Sequence, residues 1–329
     1  MSAKIILICL LTQPISCSLF QMKPTMKTKP IYKESFIQKD RIKLHYLDWG
    51  GSSQPLVLLH AWGDSPYIFE GIANSLKKNF RIIAYSKRGH GKSETTDSLY
   101  DNSTLVSDLK LLLDSLNIEK ANLLGWSMAG NEITEFATEY PERTNKLIYL
   151  EGGYDLSDES FKTINKTVHK FLQPDSLVLQ SKDAYREWYH NLWFGDIEWN
   201  PVLEANLIAS TIINPDGSVT TIPNNHITKL LLESAMSYHR DYKKIQSPAL
   251  AIYTISFFYP PKKDEGTVNI YKDMEKNIIN PWRQSSISRI KSELKDVTIK
   301  EMPSGTHTSL IFLDRDFIIE SVNSFLLDK

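Results

Sequence analysis

The stretch Leu123–Ile133, LLGWSMAGNEI, constrains this chain more than any other. An apolar run leads into Gly125-Trp126-Ser127-Met128-Ala129-Gly130, and a helix-like stretch follows. The pattern predicts a buried strand, a sharp turn and a helix, with Ser127 at the tip of the turn. Such a turn needs small residues, because the serine sits in a strained backbone conformation and the strand and helix approach closely. Ala129 stands where the G-x-S-x-G pattern has its last glycine, and Gly130 follows it. Alanine is small enough for that place. Alone the pattern is a weak signal, so the rest of the chain decides what it means.

Upstream, Glu34 to Asp48 reads as a hairpin with Lys39-Asp40 at its turn. Pro55-Leu-Val-Leu-Leu-His60 is a short continuous apolar run, as expected of a strand buried on both faces. It ends in His60-Ala61-Trp62-Gly63-Asp64, after which Ser65-Pro66 predicts a helix start running to about Lys78. Arg81–Tyr85 is another buried strand, leading into the glycine turn SKRGHGKS, which lacks the spacing of a phosphate loop. Leu105, Leu109, Leu112, Leu113 and Leu116 mark one face of a helix over Thr104–Leu116. Ala121–Gly125 is the strand before the turn, Met128–Tyr140 the helix after it, and Lys146–Glu151 the next strand. From Gly152 to Ile245 the chain turns helix-like and aromatic (Tyr185, Trp188, Tyr189, Trp193, Phe194, Trp199), interrupted by a turn at Asn214-Pro-Asp-Gly217. Ser247–Tyr253 returns to a central strand. Asp273–Leu294 reads as helix broken at Pro281, and Asp296–Met302 as the last strand. The loop Pro303-Ser-Gly-Thr-His307 follows, then a helix over Asp314–Leu327.

The order strand-HAWGD, strand-SKRGHGKS, strand-GWSMAG-helix, YPER and strand-YLEGGYD resembles the α/β-hydrolase superfamily, over about Lys33–Asp155 and again in the C-terminal stretch. The resemblance implies an α/β class fold: a mostly parallel eight-stranded sheet with helices on both faces and an inserted, mainly helical cap. The core would span residues 33–151 and 246–329, and the cap residues 152–245. It further implies Ser127 as nucleophile, His307 as its base, and an oxyanion hole of backbone amides at Met128 and at Ala61 or Trp62. Relatives often carry the acid in the loop after the strand Ser247–Tyr253, but Thr254-Ile-Ser-Phe-Phe-Tyr-Pro-Pro261 holds no carboxylate. Asp264 and Glu265, the first acids beyond it, look like part of a solvated charge cluster. Glu151, at the end of the sixth strand, is the preferred candidate, since some branches of the superfamily place the acid there. Asp155 is a further alternative. A serine nucleophile disfavours the epoxide hydrolases and dehalogenases of this fold, which use aspartate. The expectation is a carboxylic-ester hydrolase working through an acyl-serine intermediate, on a small or medium apolar substrate suited to an aromatic cap. A ligand-binding receptor on the same scaffold and a carbon–carbon bond hydrolase are the alternatives.

Charge and cysteine content narrow the rest. There are 38 Lys and Arg against 39 Asp and Glu, with no basic block, so nucleic acid is not an expected partner. No cofactor or metal motif is found. Met1–Lys4 is a short basic start, Ile5–Leu11 an apolar run too short to span a membrane, and Pro14–Ser18 supplies small residues. That is the order of a signal peptide over residues 1–18, with a linker over 19–32. It predicts export, periplasmic, secreted or lipid-anchored at Cys17, and a cytoplasmic location if the signal reading fails. Both cysteines, Cys9 and Cys17, lie in this segment, so no thiol chemistry is expected of the folded part. Asn102-Ser-Thr and Asn165-Lys-Thr match glycosylation sequons.

Overall fold

The computed structural model describes residues 31–195, 197–258 and 265–328. The signal-peptide, lipid-attachment and linker readings as far as residue 30 lie outside the described residues. Eight strands form one sheet: β1 (Lys33–Lys39), β2 (Ile42–Gly50), β3 (Pro55–Leu59), β4 (Arg81–Tyr85), β5 (Ala121–Trp126), β6 (Thr144–Leu150), β9 (Ala249–Tyr253) and β10 (Val297–Glu301), in the order β1-β2-β4-β3-β5-β6-β9-β10. A separate two-stranded hairpin, β7 (Thr211–Ile213) and β8 (Val219–Thr221), lies in the segment between β6 and β9. Only β1·β2 and β2·β4 are antiparallel within the large sheet.

Parallel neighbours cannot be joined by a tight turn, so the chain crosses between them through helices. The helices are α1 (Glu70–Leu76), α2 (Asn102–Ser115), α3 (Ala129–Glu139), α4 (Glu159–Leu172), α5 (Lys182–Trp193), α6 (Pro201–Ala209), α7 (Asn225–Ser237), α8 (Glu265–Met274), α9 (Asn280–Glu293) and, after the last strand, α10 (Leu310–Leu313) and α11 (Arg315–Leu327). The two-residue period of the strands divides the core. Leu56, Leu58, Ile82, Ala84, Leu124, Ile148 and Ile252 pack with α1 and α11 on one face. Val57, Leu59, Ile83, Leu123, Leu147, Tyr149 and Ala251 pack with α2, α3 and α9 on the other. Both faces being covered explains why these strands are continuous apolar runs.

Several boundaries differ from the sequence reading. Ser65 does not cap a long helix. A 3₁₀ turn over Pro66–Phe69 comes first, α1 starts at Glu70, and the Ser65 hydroxyl is committed elsewhere. Pro281 does not end the helical run: it lies in the first turn of α9, and the residues before it are already helical. A π-helical stretch, Glu275–Ile279, joins α8 to α9. Asp101 caps α2, accepting from the Thr104 N–H at 2.9 Å. Asn102 is buried and donates to the Asn131 carbonyl, so that sequon is closed to a glycan. The Asn214–Gly217 turn is the tip of the β7–β8 hairpin. No helix among the described residues is long and apolar enough to cross a membrane.

The close approach that positions the site lies at the carboxyl ends of β5 and β6. A Cβ added at Gly130 would lie 1.9 Å from the Gly152 carbonyl oxygen, and one at Gly125 2.7 Å from the Ala129 carbonyl oxygen. Ala129, by contrast, is fully buried with its methyl accommodated, so Gly130 supplies the clearance at this turn. Gly130→Ala must push backbone against backbone. It is expected to lower stability by about 3 kcal/mol, the upper part of the usual overpacking range, read as a lowered urea midpoint. An unchanged midpoint would contradict this packing.

Candidate active site

Ser127 follows the last residue of β5 and has φ 57°, in the left-handed region. Its N–H is tied to the Leu150 carbonyl at 3.1 Å, and its own carbonyl accepts from the Gly130 N–H at 3.0 Å. The turn is therefore held from both sides, which is what a serine in this conformation requires. Glu151, one residue beyond β6, also has positive φ, at 48°, and its N–H bonds to the Ile252 carbonyl at 2.8 Å. Both strained residues stand at strand ends on the same edge of the sheet.

The loop after β10 brings His307 between them. Ser127 Oγ is 2.7 Å from His307 Nε2, and His307 Nδ1 is 2.9 Å from Glu151 Oε2. The other carboxylate oxygen, Oε1, accepts from the Tyr154 hydroxyl at 2.7 Å and from the Thr254 N–H at 2.6 Å. Arg283 Nε donates to the Tyr154 oxygen at 3.0 Å, so the tyrosine's own proton is directed to Glu151. Burial, and then the adjacent Glu151 carboxylate, push the Tyr154 hydroxyl well above its ordinary range and keep it a donor. Glu151 is fully buried, and the nearest cation supporting it is Arg283, at one remove. Because the Glu151 side chain accepts on both oxygens, Nδ1 of His307 must donate. That leaves the lone pair of Nε2 facing the Ser127 hydroxyl.

The imidazole is fixed further by packing. The Phe257 ring stacks on it with centroids 4.1 Å apart, its backbone N–H bonds to the Phe257 carbonyl at 3.1 Å, and Trp126 Nε1 donates to its carbonyl at 3.1 Å. The stretch Thr254–Pro261 after β9, which holds no carboxylate, contributes the Thr254 amide and the Phe257 ring instead. Among the other proposed acids, Asp155 is engaged with Arg289 and Ser157. Asp264 lies outside the described residues, and Glu265 is the first residue of α8.

Met128, Ala61 and Trp62 line the same cavity as Ser127. Met128 precedes the first residue of α3, where backbone N–H groups lack helical partners. His60 Nδ1 bonds the Ala61 carbonyl at 2.8 Å, and its Nε2 accepts from the Lys87 N–H at 3.2 Å. Its role is structural, and burial holds the ring neutral by lowering its pKa well below the usual value. In a trans peptide the carbonyl and the following N–H point opposite ways, so the Trp62 N–H is directed away from His60.

The cavity has a volume of about 190 Å³. The segment between β6 and β9 supplies much of its wall, including Phe161, Tyr185, Trp188, Tyr189, Trp193 and Phe194. Trp199, grouped with these aromatics by sequence, instead packs on Tyr189 and His190 and donates to Glu204. The charged side chains among the described lining residues are Asp64 and Glu151, both acidic. Neither Asp64, Tyr154, Arg283 nor Asn206 was assigned a role from the sequence. Asp64 and Tyr154 had local signals, their places in the HAWGD loop and in YLEGGYD.

Burial pushes the Asp64 carboxyl up to about 7, opposed by donors from Asn206 and Tyr189 and by the charge of Lys87. The folded protein therefore holds a proton that the unfolded chain has released, between the ordinary aspartate pKa of about 4 and about 7. This group's contribution to stability falls as pH rises through that window. Asp64→Asn keeps an acceptor for Asn206 and removes the titration. Its stability relative to the parent, measured by urea unfolding, is expected to be greater at about pH 8 than at about pH 5. A pH-independent difference would refute the assignment.

Comparison with known proteins places the chain among relatives of this architecture. Residues 54–204 match a family model described as the alpha/beta hydrolase fold. A 2-hydroxy-6-oxononadienedioate/2-hydroxy-6-oxononatrienedioate hydrolase of Paraburkholderia phymatum is 37% identical over 122 residues, covering 34% of this chain and 41% of that protein. A soluble epoxide hydrolase of a Corynebacterium species is 30% identical over 126 residues, covering 38% and 43%. The chain thus spans about two fifths of the length of the curated relatives it matches. Among solved structures, E-2-(acetamidomethylene)succinate hydrolase superposes with a TM-score of 0.69 at 15% identity, over 90% of this chain and 100% of that one. An esterase from Exiguobacterium antarcticum does so with a TM-score of 0.65 at 17% identity, over 90% and 100%.

Proposed function

We propose, from the premise that this chain belongs to the α/β-hydrolase superfamily, that it is a serine hydrolase cleaving a carboxylic ester or related acyl bond. The observation that carries the reading is the continuous relay from Ser127 Oγ through His307 to Glu151, with contacts of 2.7 and 2.9 Å. In this reading His307 Nε2 takes the hydroxyl proton as Oγ attacks the carbonyl carbon. Glu151 steadies the imidazolium that results. The tetrahedral oxyanion is held by the N–H groups of Met128 and Trp62, and Ala61 shapes the loop between. His307 then returns the proton to the departing alcohol, leaving an acyl-serine, and water repeats the sequence in reverse to release the acid.

The residues 152–245 act as a cap in this scheme, and their aromatic side chains favour a small or medium apolar acyl compound. The names of two relatives suggest other chemistries. Epoxide opening in this superfamily uses an aspartate where this chain has Ser127, which weighs against it. Carbon–carbon hydrolysis would use the same serine and histidine, and the 37% identical relative favours it as the second reading. That relative's substrate is a dioate, however, and the described cavity wall here offers two acids and no lysine or arginine. A doubly anionic substrate would find no cationic side chain to pair with there, whereas a neutral ester needs none.

A fluorophosphonate probe is expected to label Ser127 and the protein to turn over a neutral p-nitrophenyl ester. Ser127→Ala should abolish labelling and lower turnover by about 10⁴-fold or more. Glu151→Gln should lower turnover by about 10³- to 10⁴-fold. Retained labelling of Ser127→Ala would overturn the reading. Faster cleavage of a vinylogous diketone than of the ester would favour the carbon–carbon alternative.

A further inference from the structure

The loop that leaves β3 is fastened at its far end by one buried side chain from the segment between β6 and β9. Asn206, in α6, is fully buried. Its Oδ1 accepts from the Ser65 N–H at 2.8 Å and from the Ser65 hydroxyl at 2.6 Å. Its Nδ2 donates to Asp64 Oδ1 at 2.8 Å and to the Tyr189 oxygen at 2.9 Å. All four hydrogen-bonding sites of the amide are thereby used, three of them on the consecutive loop residues Asp64 and Ser65. The near end of the same loop is closed by the Ala61 carbonyl, which accepts from His60 and, at 3.4 Å, from the Asp64 N–H. Between these two fastenings lie Trp62 and Gly63, and Gly63 has φ 78°, with open space around it. Nothing in the glycine itself restrains that part of the loop, so its shape depends on the fastenings.

We infer that Asn206 is a positioning residue for the oxyanion hole, holding the Ala61–Ser65 loop so that the Trp62 N–H faces the reacting carbonyl. The inference rests on the serine-hydrolase reading above and deepens it. It makes the segment that walls the substrate cavity also the part that sets one oxyanion donor. The same α5–α6 region ties the base, since Thr308, next to His307, donates to the Trp193 carbonyl at 2.6 Å. Displacing this segment would therefore disturb chemistry as well as binding.

Two variants test it. Asn206→Ala releases the loop, and kcat for a neutral p-nitrophenyl ester should fall by about 10- to 100-fold, somewhat less than deletion of an oxyanion donor. KM should stay within about threefold, because a donor that acts on the transition state is lost rather than uniform binding. A rise in KM with kcat unchanged would overturn the inference in favour of pocket shape alone. Asn206→Asp gives a readout that packing would not move, and it serves if the alanine variant does not fold. It keeps the acceptor for Ser65 but sets a second carboxyl against Asp64. Lys87, Tyr185 and Tyr189 are the other titratable groups facing Asp64. Two carboxyls at this spacing must share a proton. Activity relative to the parent should thus be kept at about pH 6 and fall at least about tenfold further by about pH 9, as the shared proton leaves. Parallel pH profiles for parent and variant would overturn the inference. Failure of the parent itself to label with fluorophosphonate would instead strike the serine-hydrolase reading, so the two failures are distinguishable.

Discussion

At the carboxyl edge of the sheet two backbones come closer than any side chain would allow. Gly130 lies against the Gly152 carbonyl, and Gly152 in turn against the Gly125 carbonyl, where an added Cβ would come within 2.5 Å. This contact clamps the turn after β5 to the turn after β6. Ser127 and Glu151 occupy those two turns, each in a left-handed conformation that costs about 1–3 kcal/mol and persists only when its surroundings overdetermine it. Arg240, fully buried, completes the clamp by donating to the Gly152 carbonyl at 2.6 Å and to Asn131 in α3 at 2.7 Å.

From that clamp the polar relay follows in order. Glu151 is buried without a direct cation, and it is sustained by three donors, His307, Tyr154 and the Thr254 amide. Hydrogen bonds to a charged group contribute about 1.5–3 kcal/mol each, and Arg283 gathers the Tyr154 oxygen and the carbonyls of Thr254 and Ile255 behind them. A carboxylate at the end of β6 thus reaches Nδ1 of His307, beside a loop whose first residues, Thr254–Pro261, include none. That loop keeps its place beside the histidine, but as a backbone donor and an aromatic ring. The glutamate side chain spans the added distance to Nδ1.

The cavity adds a second layer of dependence. Its walls come from the segment between β6 and β9, and the same segment reaches the β3 loop through Asn206 and the histidine loop through Trp193. The shape of the cavity and the placing of the β3 and His307 loops are in this way carried by shared contacts. The described lining includes no lysine or arginine.

Much of the fold was legible in the chain itself. Continuous apolar runs marked the doubly covered strands, period-four leucines marked α2, and small residues around Ser127 marked the turn, because each of these is a local demand of backbone geometry and burial. Ser127, His307 and Glu151 were singled out through the resemblance of their motifs to the α/β-hydrolase superfamily, and the fold brings the three within hydrogen-bonding distance. What the sequence could not carry were partners distant along the chain. Arg283 and Asn206 are ordinary residues by local pattern, and each acquires its place only when α9 or α6 is folded against the sheet edge. Ser65 shows the difference most simply. Its sequence neighbours say helix cap, yet its hydroxyl is taken by an amide from α6. Local sterics and hydrophobic period, which act over a few residues, determined the scaffold. The hydrogen bonds that orient the site close over long loops, so only the tertiary structure decided them.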